Sequence, residues 1–131
     1  MAPTLVFERA EQGRGPLVMV TGSPGGSLII QFVVLNLIAV LDWNLSADEA
    51  VALPHFGAFN MPVTVLEADH PAAEARGLAA VAQALTARGH AVDHAQRPSG
   101  LATIVVRRDA HGQRYLEGGA DPRREGTVRG D

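Results

Sequence analysis

The chain has 131 residues, a length that fits one ordinary domain and leaves no room for two full-sized ones. Apolar residues make up 47% and charged residues 19%, which excludes a compositionally disordered chain. The net charge of −3 excludes a strongly basic nucleic-acid binder, and the absence of lysine and cysteine excludes a Schiff-base or phosphate-loop lysine, a thiolate nucleophile and a cysteine metal site.

The first third of the sequence predicts a hairpin, a glycine-rich turn and an apolar helix. Residues 3–7 and 17–21 are rich in β-branched residues and flank turn residues, which is typical of two paired strands. Residues 22–27 end the second strand, with Ser27 as the expected cap of the next helix. Residues 28–41 are apolar around almost the whole helix, so this helix has to be covered on every side. The stretch is too short to span a membrane, and we expect no membrane insertion.

The middle of the sequence predicts two more helices with a strand between them. Ser46 and Glu49 match a capping box, which opens a short helix that a proline stops. Residues 62–67 read as a strand. Residues 72–88 are alanine-rich with helical spacing, although Gly77 is an alternative start, and Gly89 is expected to end this helix.

The last third predicts strands and then a tail. Residues 91–94, 101–107 and 114–116 have strand character. From Gly118 the chain is rich in glycine, arginine and aspartate and offers few apolar anchors. We therefore predict a flexible tail over residues 118–131 in a single domain that covers residues 1–131.

The turn before the apolar helix is the segment most able to carry chemistry. Backbone N–H groups at the N-terminus of a helix can hold a phosphate, a carboxylate or a developing oxyanion. The glycine pattern matches neither a dinucleotide-binding loop nor a Walker loop. A nucleotide-phosphate binder is therefore a weak hypothesis for this chain. Neither Ser23 nor Ser27 lies in the G-x-S-x-G pattern of a nucleophile elbow. A turn that needs glycine for backbone shape alone stays open as an alternative.

The histidines and the charged clusters are not expected to form a site. His90 and His94 have helical spacing, but Gly89 and Val92 favour a strand or turn there, so we expect no metal site and no cofactor. The five histidines are expected at the surface or its rim. The mixed-sign run over residues 121–125 is typical of a solvated face with weak salt bridges.

Several segments, taken together and in order, resemble the gamma-glutamyltransferase family. TGSPGGSLII from Thr21 resembles the signature near the end of that family's small subunit, and the segments that follow keep the family's order. They are LDWNLS from Leu41, EAV from Glu49, LPHF from Leu53 (with His55 where arginine is usual), ARGH from Ala87 and ADPRR from Ala120.

This resemblance implies an α+β fold, part of the α/β/β/α sandwich of an N-terminal-nucleophile hydrolase, with mixed or antiparallel strands and three helices. Members of the family cleave themselves to expose a threonine, whose hydroxyl attacks a gamma-glutamyl amide such as glutathione. By this resemblance the backbone N–H groups of Gly25 and Gly26 line the oxyanion hole.

The resemblance also implies what this sequence does not carry. The family's nucleophilic threonine and its substrate-binding residues match no position here, and Thr4 and Thr21 do not fit the nucleophile's motif. We therefore expect the C-terminal part of a small subunit that is inactive alone, so whether the chain is itself an enzyme stays open. It would meet a gamma-glutamyl substrate only together with the upstream part.

Two further expectations concern partners and compartment. Uncovered strand edges and apolar helix surface predict a two-fold homodimer of the isolated chain. The family is commonly periplasmic or extracellular, while the N-terminus here shows no signal peptide, so the localisation stays open. The alternative from another functional class is a stand-alone binding or interaction module that keeps the scaffold without catalysis.

Overall fold

The computed structural model describes residues 2–58 and 60–130. It confirms the expected α+β class with three helices. The elements in chain order are β1 (Thr4–Arg9), β2 (Arg14–Gly22), a 3₁₀ turn (Gly26–Leu28), α1 (Ile29–Leu41), α2 (Ala47–Val51), β3 (Phe56–Gly57), β4 (Val63–Glu67), α3 (Leu78–Ala87), β5 (Ala91–Ala95), β6 (Ala102–Arg108) and β7 (Arg114–Ala120).

The contacts divide the chain into two units. One unit contains the residues up to Ala52 together with those from Ser99 onward, and the other is Leu53–Pro98. That the whole chain behaves as one domain stays a prediction.

The first unit is built on an antiparallel sheet with the strand order β1-β2-β6-β7. The predicted hairpin of β1 and β2 is present, with Thr4 opposite Thr21. At the centre of the sheet β2 pairs with β6, which places Thr21 opposite Thr103. Because successive side chains point to opposite faces of a strand, these two threonines share one face of the sheet.

Helix α1 follows β2 and buries one side. Its buried side chains are Phe32, Val33, Leu35, Asn36, Ala39 and Val40. Its other side leaves Ile30, Val34, Ile38 and Leu41 between 36% and 71% exposed. The sequence required cover on every side of this helix, and the expected homodimer that could provide it stays a prediction. Among the described residues, no helix combines the length and the hydropathy that crossing a membrane requires.

The predicted capping box opens α2. The backbone N–H of Ser46 donates to Glu49 Oε2 at 2.9 Å, and the N–H of Glu49 donates to Ser46 Oγ at 3.2 Å. These two bonds satisfy N–H groups that have no partner within the helix. The backbone N–H of Ala47 also donates to Glu117 of β7, which ties the start of α2 to the sheet.

The second unit is a β-α-β arrangement with one additional short strand. β4 pairs with β5 in parallel, as the intervening α3 allows. β3 pairs antiparallel with β4 and was not foreseen. The helix begins at Leu78 because Gly77 takes a left-handed conformation with φ 64°, so the alternative start is the correct one and residues 72–77 are not helical.

The start of the predicted tail needs correction. Strand β7 continues through Ala120, because Gly118 and Gly119 pair with β6. Asp121, the next residue, is only 2% exposed. The expected tail therefore cannot begin at Gly118. The flexibility of the residues beyond Asp121 stays a prediction.

Candidate functional site

The glycine-rich turn between β2 and α1 has a backbone that only glycine adopts easily. Gly25 has φ 141° and Gly26 has φ 61°. A Cβ atom on Gly25 would lie 2.7 Å from Cε2 of Phe32, whereas a Cβ atom on Gly26 would meet open space. The shape of the turn thus requires glycine at both positions, and packing against Phe32 requires it again at Gly25.

The turn presents backbone N–H groups at the start of a helical segment. The 3₁₀ turn runs directly into α1, so Gly25 and Gly26 stand at the N-terminal end of 16 helical residues. Their N–H groups donate to no acceptor among the described residues, and Gly26 is exposed. Unpaired N–H groups and the positive end of the helix dipole both favour negative charge. The geometry suits an anion or a developing oxyanion.

The two serines of the turn have structural surroundings. Ser23 is 1% exposed; its hydroxyl donates to the carbonyl oxygen of Pro24 at 2.6 Å and accepts from the N–H of Gly100 at 3.2 Å. Ser27 lies inside the 3₁₀ turn, and neither helical segment has a side-chain cap there, so the predicted cap is wrong. The reason is that the helical segment already begins at the glycines before Ser27.

Residues 99–100 and Arg124 pack next to the turn. A Cβ atom on Gly100 would lie 2.8 Å from both Cγ of Pro24 and Cδ of Arg124, so the backbone at Gly100 fits between these two side chains. The guanidinium Nε of Arg124 donates to the carbonyl oxygen of Ser99 at 2.7 Å. The Ser23 bond holds Gly100 against the turn, and the Arg124 bond ties Ser99 to the residues after β7.

Asp121 anchors this segment with a buried carboxylate. Oδ2 accepts from the hydroxyl of Ser99 and from the N–H of Leu101 at 3.1 Å. Oδ1 accepts from the N–H and from Nη1 of Arg123, each at 3.0 Å. Burial acts to raise the pKa of the Asp121 carboxyl, but these hydrogen bonds outweigh it and hold the pKa below its ordinary value.

Residues 121–125, expected as a solvated face with weak salt bridges, are such a face only at Pro122, Arg124 and Glu125, and the local salt bridge between Asp121 and Arg123 is present but largely buried. The side chains of Asp121 and Arg123 are 1% and 12% exposed, and Nη1 of Arg123 also donates to the carbonyl oxygen of Val51 at 3.2 Å. Composition alone could not show this burial. The one available signal was the match of Ala120–Arg124 to the closing segment of the resembled family.

The histidines are not gathered into a site. His94 lies on β5 and His90 just before it, so their spacing has no helical meaning. His55 was expected at the surface but is 1% exposed, with its N–H donating to Oε2 of Glu67 at 2.7 Å and its carbonyl oxygen accepting from the N–H of Glu67 at 2.8 Å. In the part of the chain that the structure describes, no three His, Asp or Glu residues could hold a metal ion together.

Comparisons with known proteins agree on one family. The family model described as gamma-glutamyltranspeptidase matches residues 1–130. The glutathione hydrolase proenzyme of Pseudomonas sp. (strain A14) is 39% identical over 62 residues, which are 47% of this chain and 10% of that relative.

Solved structures extend the likeness over almost the whole chain. A mutant gamma-glutamyltranspeptidase of Helicobacter pylori aligns with a TM-score of 0.74 at 27% identity, over 95% of this chain and 61% of that one. The Pseudomonas nitroreducens gamma-glutamyltranspeptidase in complex with L-DON aligns with a TM-score of 0.73 at 22% identity, over 99% of this chain and 62% of that one. The chain thus spans about a tenth of the curated relative and about six tenths of these solved chains.

The expected fold class is confirmed, because the structural neighbours are N-terminal-nucleophile hydrolases of this kind. The family model extends over nearly every residue, including the turn at Gly25 and Gly26 and the segment around Asp121. The chain belongs to the gamma-glutamyltranspeptidase family.

Proposed function

We propose that this chain supplies the oxyanion-hole turn of a gamma-glutamyl transfer or hydrolysis site. The observation that carries the proposal is the pair of N–H groups on Gly25 and Gly26, which donate to no acceptor among the described residues and stand at the start of a helical segment. Such donors suit an oxygen atom that gains negative charge during acyl transfer.

The chemistry assigned to the turn is electrostatic. When a hydroxyl attacks the carbonyl carbon of a gamma-glutamyl amide such as glutathione, the carbonyl oxygen becomes an oxyanion. Two fixed backbone donors stabilise that oxygen more strongly in the transition state than in the substrate. One donor of this kind lowers the activation free energy by about 3 kcal/mol, which raises kcat about 100-fold.

In this proposal the nucleophile comes from another polypeptide segment, and the chain alone does not turn over substrate. Of the hydroxyls near the turn, those of Thr21 and Ser23 are 3% and 1% exposed and hydrogen-bonded, while that of Ser27 is exposed but does not lie in the pattern of a nucleophile elbow. The relatives named above are longer than this chain, which is consistent with a catalytic centre shared between segments.

The test is release of nitroaniline from gamma-glutamyl-p-nitroanilide. We expect none from the purified chain and measurable release after refolding with the complementary segment of a solved relative. Exchange of the Gly25 amide for an ester, with glycolic acid at this position, removes one donor without adding a side chain. It should lower kcat about 100-fold.

The matched control is the same amide-to-ester exchange at Gly130, which is exposed and whose N–H donates to no acceptor among the described residues. This control should lose far less activity than the Gly25 ester. Turnover by the chain alone would refute the proposal that the nucleophile comes from another segment. Equal kcat for the ester and the amide would refute the oxyanion role. A refolded complex without activity would favour the alternative, a non-catalytic binding or interaction module.

A further inference from the structure

Three buried polar side chains connect α1 to the two central strands of the sheet. Nδ2 of Asn36 donates to Oγ1 of Thr21 at 2.7 Å and to Oγ1 of Thr103 at 2.6 Å. The two hydroxyls lie 2.9 Å apart and share a hydrogen bond. Asn36, Thr21 and Thr103 are 0%, 3% and 2% exposed. We call these three residues the amide–threonine cluster.

The cluster stands out because the other buried side chains of α1 are apolar. Helix α1 contains no charged residue, and Asn36 is the single polar side chain among its six buried residues. Apolar packing is not directional, so it allows a helix to shift or rotate on a sheet with little change in buried area. Hydrogen bonds to two fixed hydroxyls define one position only.

We expect the cluster to stabilise the fold no more than an apolar filling would. Oδ1 of Asn36 is buried and has no hydrogen-bond partner among the described residues. A buried polar atom without a partner has lost its bond to water and gained nothing in return. The gain from this cluster is therefore in the uniqueness of the helix position, and not in the free energy of unfolding.

The positions of the three residues relate the cluster to the turn. Thr21 lies in β2 just before the turn, and Asn36 lies in the helix just after it. One amide therefore fixes both arms of the strand–turn–helix segment, and Thr103 adds the neighbouring strand β6. Sliding of α1 would move its first residues together with the glycines that precede them.

We propose that Asn36 is a positioning residue that sets where the N–H groups of Gly25 and Gly26 point. The assignment rests on the proposed oxyanion role of this turn, since only then does their direction affect a reaction. Asn36 touches no substrate in this scheme and acts through the placement of α1.

The experiment replaces the whole cluster by apolar residues of similar size. The triple variant Thr21→Val, Asn36→Leu, Thr103→Val should keep its Tm within about 5 °C of the original chain or exceed it. Its 1H–15N NMR signals for Gly25 and Gly26 should broaden or split, because the helix samples more than one position. Leu35→Met changes a buried side chain of the same helix without touching the cluster, and should leave both signals sharp.

Three outcomes decide the assignment. Sharp, unshifted Gly25 and Gly26 signals in the triple variant would overturn it. If the triple variant does not fold, the comparison of Thr103→Val with Thr103→Ser decides. Only the valine variant should shift the signals, and equal spectra would overturn the proposal.

In the refolded complex the triple variant should lower kcat at least tenfold with little change in KM. A complex that is inactive with the original chain would refute the proposed function, while the NMR result would still decide the role of Asn36.

Discussion

Replacing Asp121 with asparagine keeps the shape of the side chain and removes its charge. Each carboxylate oxygen accepts two hydrogen bonds, from Ser99 and Leu101 on one side and from Arg123 on the other. An amide nitrogen that faces Arg123 would meet two donors, whereas one that faces Ser99 and Leu101 would keep only the bond to the serine hydroxyl, which can also accept, so one or two bonds are lost. Hydrogen bonds to a charged group contribute about 1.5–3 kcal/mol each, and breaking a buried ion pair from one side costs about 3–5 kcal/mol. We expect Asp121→Asn to lower the free energy of unfolding by about 4 kcal/mol at pH 7.

The loss should depend on pH in a defined direction. The folded-state pKa of the Asp121 carboxyl is lowered, so its stabilisation is fully present above the unfolded-state pKa of about 3.9. The stabilisation disappears as the pH falls through the folded-state value. The difference between the original chain and the variant should stay constant from pH 7 to about pH 5 and shrink below about pH 4.

Urea unfolding at several pH values, followed by far-UV circular dichroism and the fluorescence of the single tryptophan, measures this difference. Asp42→Asn is the matched control, because Asp42 is exposed and the substitution removes the same charge. It should change the free energy of unfolding by no more than about 0.5 kcal/mol. A difference below about 0.5 kcal/mol for Asp121→Asn at pH 7, or one that is the same at pH 3.5 and pH 7, would refute the reasoning.

Three further results are expected. Gly25→Ala should lower the free energy of unfolding by about 3 kcal/mol, because the new methyl group meets Phe32 and φ is positive. Gly26→Ala has a positive φ but open space around the methyl group, and it should lower the free energy of unfolding by about 1 kcal/mol. Equal losses in urea unfolding would contradict the packing argument. Ser46→Ala should cost about 1 kcal/mol by breaking the capping box with Glu49, and an unchanged unfolding midpoint would count against that contribution. Light scattering should show a dimer of the isolated chain, and a monomer across the whole concentration range would rule the dimer out.

Features fixed by neighbouring residues could be predicted from the sequence. The capping box at Ser46 depends on a residue three positions away, and the glycine turn depends on consecutive residues. β3 could not be predicted, because it has only two residues and is defined by its pairing with β4, which no local sequence pattern reveals. The helix start at Gly77 was visible only as an alternative, since alanine-rich sequence is equally helical on both sides of it.

The supports of the site are the part that the sequence could not show. Asp121 and Arg123 look like a solvated pair until Ser99 and Val51 are brought to them from distant parts of the chain. Asn36 likewise looks like an interruption in an apolar helix, and only the pairing of β2 with β6 gives its amide two acceptors. In each case burial turns a side chain that is ordinary at a surface into a fixed contact.

The order in which the chain can assemble follows from the discontinuous first unit. The second unit, Leu53–Pro98, is continuous, so its strand pairs do not depend on the residues after Pro98 that complete the first unit. The sheet of the first unit can form only after β6 has been synthesised, since Thr21 and Thr103 of its central strand pair are 82 positions apart. Closing so long a loop is entropically costly and slows folding. The turn at Gly25 is therefore synthesised before its supports and reaches its final shape only when β6, β7 and Asp121 have joined the first unit.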